Sequence, residues 1–133
     1  MQNFGKTVWL IPDCYWPVAD AAQAAQAYQS HESLCVLNTG DGDATLNVTL
    51  YFEDEEPWEN FTAVCPARRT SHIRMNALHS YEGRQIPQGK PYAALVVSDI
   101  PVVVQYSRLD ATQANNALMT TMAYEGGEMG WDM

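Results

Sequence analysis

The sequence predicts an all-β protein, an antiparallel β-sandwich of about eight short strands, and three observations carry that prediction. One segment, "ATLNVTLYF" from Ala44 to Phe52, alternates apolar and polar residues without a fault. Several other short runs are rich in β-branched and aromatic residues, the usual content of strands. Clusters of Gly, Asp and Pro separate these runs at short intervals, the turn spacing of a sandwich or barrel.

Taken in chain order, "TVWLI" (Thr7 to Ile11) reads as a strand that Pro12 stops. Pro12 and Pro17 then bracket a loop carrying Tyr15 and Trp16. The stretch Ala19 to Ser30 has helix propensity but an almost all-alanine apolar face, so it predicts a short helix or an ordered loop. "SLCVLN" reads as a buried strand, and "TGDGD" (Thr39 to Asp43) as a turn joining it in a hairpin to the alternating run. In that run Leu46, Val48, Leu50 and Phe52 share one face. "EDEEPWEN" (Glu53 to Asn60) is an acidic, solvated loop without the interleaved Gly of a calcium-binding loop. "FTAV" and "RTSHIRM" supply two strands around Pro66, and "YAALVVS" and "VVVQYSRL" two more, separated at Asp99-Ile100-Pro101. "NALMTTMAY" fits helix or strand. The glycine-rich end, residues 125–133, is expected to be a loose tail on a single domain spanning 1–133.

With 133 residues and 47% hydrophobic content, the chain can bury a core without metal or disulfide staples. Sixteen acidic against seven basic residues, a net charge of −9, argues against binding nucleic acid or an anionic membrane surface. No basic start followed by a long apolar run is seen, and no stretch approaches the roughly 20 apolar residues that insert into a bilayer. A cytoplasmic location is therefore expected. Cys14, Cys35 and Cys65 are odd in number and form no CxxC pair, which fits reduced thiols.

Against this acidic background, "PARRTSHIRMN" (Pro66 to Asn76) holds three of the seven basic residues and no acidic one. Strand alternation puts Thr70, His72, Arg74 and Asn76 on one face, with Arg68 in parity and Arg69 opposite, while Ile73 and Met75 suit a core. Side chains two apart stand about 7 Å from each other, so His72 and Arg74 can converge on one ligand. The plainer alternative pairs the arginines with Glu53, Asp54 or Glu56, contacts worth little on a surface. "QYSRLD" offers Gln105, Arg108 and Asp110 where a strand leaves the core. "SHES" offers His31 and Glu32, although adjacent strand residues point to opposite faces. No GxSxG, HExxH, Walker or GxGxxG pattern occurs, and the three His lack metal-ligand spacing. No cofactor, metal or catalytic activity is expected.

The order "SHESLCVLNTGDGDATLNVTLYFEDEEP", "VCPARRTSHIRMN", "PVVVQYSRLDATQANNALMTTMAY" resembles the sensory rhodopsin transducer family, from about Thr7 to Tyr124. The resemblance implies a cytoplasmic, jelly-roll-like β-sandwich that assembles as a homotetramer. It also implies a non-catalytic signalling module that binds a small polar, sugar-like ligand, with a membrane receptor or another signalling protein as partner. The positions in the matching motifs are His31, Glu32, Arg68, Arg69, His72, Arg74, Asn76, Gln105, Arg108 and Asp110. Tyr106 stands where the family's namesake has His. Trp9, Tyr15 or Trp16 would serve as stacking surface or as core. A rival reading makes the arginine cluster a docking point for an acidic partner or a neighbouring subunit, and a more distant one is a sugar-modifying enzyme using His31 and Glu32.

Overall fold

Alternation of apolar residues becomes a set of strands whose inner faces meet in one core. The computed structural model describes residues 3–25, 29–113 and 115–127. Its strands are β1 (Lys6–Cys14), β2 (His31–Asn38), β3 (Ala44–Tyr51), β4 (Trp58–Cys65), β5 (Arg69–Arg74), β6 (Tyr92–Asp110), β7 (Ala117–Met122) and β8 (Tyr124–Gly127). One short helix, α1 (Ala21–Ala24), and a 3₁₀ turn at Met75–Ala77 complete the regular structure among the described residues. In β3, Leu46, Val48 and Leu50 are fully buried while Thr45 and Tyr51 are exposed.

The 19-residue β6 organises everything else. Its first half, from Tyr92, pairs with β1 and β3, and its second half, from Val103 to Asp110, with β2 and β7. One layer runs β4-β3-β6-β1-β8, the other β5-β2-β6-β7, and every pairing is antiparallel. The eight strands are thus one sheet folded on itself at the middle of β6. Leu46, Val48, Phe61 and Val96 from the first layer share a core with Leu34, Val36 and Val104 from the second. On one side the chain changes layer through the Pro66–Arg68 turn, and on the other at Ala123, between β7 and β8.

Several local expectations need correcting. Pro12 does not stop β1, which runs on to Cys14 across a register shift between Ile11 and Cys14. A proline's missing N–H is tolerated at such an irregularity. Nor does Pro101 divide β6: residues 99–101 fall in the register shift between Val97, paired with Val8, and Val102, paired with Lys6, and carry no ladder partner, so no ladder bond is lost. The Thr39–Asp43 turn does not close a hairpin. Both sides of β2 are occupied by β5 and β6, so the turn carries the chain to the other layer. Buried Asn38 fixes that crossing, donating to the carbonyls of Gly42 and Cys65 and accepting from the Gly40 N–H.

The acidic segment is shorter as a loop than its composition suggests, because Trp58 already opens β4. Lys90, 3.2 Å from Asp54 and 2.5 Å from Glu55, offsets its charge. Phe52 lies in that loop, half-buried against the core. Among its described residues the Ala/Gln stretch yields α1, opened by a capping box of Asp20 and Gln23; residues 26–28 of it lie outside the described residues. The tail does not begin at Glu125, since β8 pairs with β1 as far as Gly127; residues 128–133 lie outside the described residues. Among the described residues, no helix is long and apolar enough to cross a membrane.

Candidate functional site

At one end of the second layer the inward-facing row turns from apolar to polar. The ladder pairs Val36 with Val104, Leu34 with Tyr106, and then Glu32 with Arg108. Because β2 and β6 keep their alternation to the end, Glu32 is carried inside with the core residues. It is 2% exposed.

A buried carboxylate needs donors, and three residues supply them. The Tyr92 hydroxyl, from the first half of β6, donates to Oε1 at 2.7 Å. The Tyr106 hydroxyl, from the second half, donates to Oε2. The backbone N–H of Tyr15, just past β1, donates to Oε2 at 2.8 Å. Glu32 therefore ties both layers and the end of β1 at one point. Burial raises its pKa above the ordinary value of 4.5, against the opposing pull of these hydrogen bonds. Burial and the nearby Glu32 likewise push up the hydroxyls of Tyr92 and Tyr106 and the thiol of Cys14, so all three stay protonated near neutrality.

Above this network lies an open cleft of about 440 Å³ lined by Asp13, Tyr15, Pro17, Pro91, Arg108, Asp110, Ala117 and Met119. The Arg108 guanidinium is 3.5 Å from Asp13, and its side chain is 17% exposed against 81% for Asp13. Asp110 accepts from the Thr112 N–H and hydroxyl, and these bonds hold its pKa below the ordinary value. One cation thus stands among acceptors, with a tyrosine and two prolines as walls. Guanidinium donors and carboxylate acceptors at this spacing suit a neutral molecule rich in hydroxyls, whose C–H faces pack on the rings. Two further recesses, of about 350 and 480 Å³, adjoin the cleft through Asp13.

The residues singled out from sequence divide into two groups. Glu32, Arg108 and Asp110 meet at the inner end, one beneath the cleft and two lining it. His72, Arg74 and Gln105 belong to the opposite, outer face of the second layer: the ladder sets His72 beside Cys35, and Cys35 beside Gln105. His31 is also turned away from Glu32, and its Nδ1 meets the Gln29 carbonyl at 2.9 Å. Arg68 sits in the β4–β5 turn at φ 53°, with an exposed contact of 3.7 Å to Asp41 rather than to the Glu53–Glu56 loop. Arg69 donates to the Arg68 carbonyl, and Asn76 is exposed in the 3₁₀ turn. The basic row and the cleft are separate features.

Sequence reasoning missed Asp13, Tyr92 and Tyr106. A signal was present: Glu32 shares the parity of Leu34 and Val36, and both tyrosines share the parity of valines in apolar runs. Trp9 is core, its Nε1 donating to the carbonyls of Lys6 and Val102. Trp16 packs half-buried against the core, and Tyr15 reaches the cleft.

Fold and site together define an all-β protein of two antiparallel layers, with a polar cleft over a buried, tyrosine-bound carboxylate. Across residues 4–125 the chain matches the family described as Anabaena sensory rhodopsin transducer, and it belongs to that family. The solved Anabaena sensory rhodopsin transducer is similar at 38% identity and TM-score 0.72, covering 82% of this chain and 92% of that one. A Thermotoga maritima structure, described as Thermotoga maritima 1070, is similar at 36% identity and TM-score 0.75, covering 91% of this chain and 95% of the other. No curated protein matches the chain at a significant level.

Proposed function

We propose that this protein is a non-catalytic, cytoplasmic signalling module that binds a small polar, sugar-like ligand in the Asp13–Arg108–Asp110 cleft and relays its state by protein contact. The observation carrying this reading is the half-buried Arg108, placed between acceptors above the Glu32 network, which gives the cleft an oriented donor and a fixed floor. Glu32 is enclosed and already bonded, so it serves as support rather than as a general base. Family membership supports the signalling role, and a receptor of the sensory rhodopsin kind or another signalling protein is the partner class it suggests. Homotetramer formation belongs to the same proposal.

Calorimetry and thermal melts with a panel of neutral mono- and disaccharides test the ligand. A true ligand at about 100 times its Kd adds roughly 2.7 kcal/mol of stability, and Arg108→Ala removes that gain. Absent heat together with an unmoved Tm across the panel refutes sugar binding. The second reading, a pure adaptor, is favoured by the exposed His72 and Arg74, whose side chains engage no ion pair or hydrogen bond among the described residues.

A further inference from the structure

β5 is an edge strand. It pairs with β2 on one side, and among the described residues no strand pairs with its other side. The backbone groups directed away from β2 are therefore open to a new partner; the Arg69 carbonyl alone also accepts a bond, from Cys65 Sγ at 3.5 Å. Its side chains give that edge a character. His72 and Arg74 are exposed on the outer face two residues apart, with Ile73 half-buried between them on the inner face. Arg68 and Arg69 stand at the start of the strand. The whole segment from Pro66 to Asn76 contains no carboxylate, in a chain carrying sixteen.

We propose that this open edge takes up an extended acidic segment of a partner protein as an added antiparallel strand. Alternate carboxylates of that segment meet His72 and Arg74, and an intervening apolar side chain covers Ile73. Strand addition draws affinity from main-chain bonds and specificity from alternate side chains. Cross-strand neighbours stand about 4.5–5.5 Å apart at Cβ, within reach of a charge-assisted hydrogen bond. Basic side chains on an edge also repel a second β5 brought against it, so the same charges select against self-pairing and for an acidic strand. The proposal rests on the relay arm of the function above and not on its ligand, because β5 lies outside both β1 and β6, which line the cleft.

The test uses the full chain and a short peptide alternating glutamate with valine, followed by amide hydrogen exchange. The expected result is slowed exchange confined to those β5 amides that point away from β2, with affinity that falls as salt rises. Replacing His72 and Arg74 together by alanine should weaken binding roughly tenfold or more while leaving the melting temperature within a few degrees. Two results overturn the proposal: no protection on β5, or equal binding of a peptide whose glutamates are grouped in one block, which would mean charge attraction without strand pairing. Sugar binding, measured on the same double variant, reports the cleft separately and keeps the two failures distinct.

Discussion

Glu32 is the residue whose environment makes the sharpest claim. Its native pKa is raised by burial, so between the ordinary value of 4.5 and the native value the folded protein holds a proton that the unfolded chain has released. Stability from this group is then fully present below about 4.5 and declines as pH rises towards the native pKa, after which it is level. Urea unfolding measured from pH 4 upward should show that decline, and Glu32→Gln should flatten it. A slope of the same size in both proteins would mean that Glu32 is not its source. Tyr92→Phe removes a single donor and leaves the carboxyl under-bonded, at a cost of about 1–3 kcal/mol. The chemistry of this site was only half readable in the sequence. Parity with Leu34 and Val36 assigns Glu32 to the core face, yet nothing local reveals that it pairs with Arg108 or that Tyr92 and Asp13, far apart in the chain, close over them. That proximity follows from β6 entering both layers.

At the scale of elements, composition placed the strands well and their connections poorly. Alternation is a local property, so β3 was visible residue by residue; pairing is not, so the Thr39–Asp43 turn looked like a hairpin although β2 and β3 lie in different layers. Prolines misled for a related reason. Their cost depends on whether a ladder bond is needed at that point, and at Pro12 and Pro101 it is not. One turn does impose a strict demand. Gly5 enters β1 at φ 104°, and a Cβ there would lie 2.0 Å from the Val102 carbonyl oxygen of β6. Gly5→Ala should therefore displace the start of β1 and lower the unfolding free energy by more than about 1 kcal/mol, whereas Gly42→Ala, with open space around it, should change it little. Equal midpoints for the two variants in chemical denaturation would show that the start of β1 yields without loss.

For the whole molecule, the question is whether two layers mean two folding units. Each layer has its own edge strands, and the charged ends lie apart, with the basic edge at β5 and the cleft between β1 and the far end of β6. Against that separation stands one continuous strand that supplies a central rung to both layers, and one core that draws on both inner faces. Opening the second layer alone would strip ladder partners from Val104 and Tyr106 while the first half of β6 stayed paired, exposing the buried side of Leu46, Val48 and Phe61 at once. That exposure makes partial opening nearly as costly as full unfolding. Leu34→Ala, a fully buried change in β2, is expected to cost about 2–5 kcal/mol, which is a thirtyfold or greater acceleration of exchange from the globally unfolded state. The amides of β3, in the other layer and out of contact with position 34 through any ladder, should accelerate by the same factor as those of β2. Acceleration confined to β2, β5 and β7 would instead assign the layers separate stabilities, and β6 would then act as a hinge between them rather than as the strand that makes them one unit.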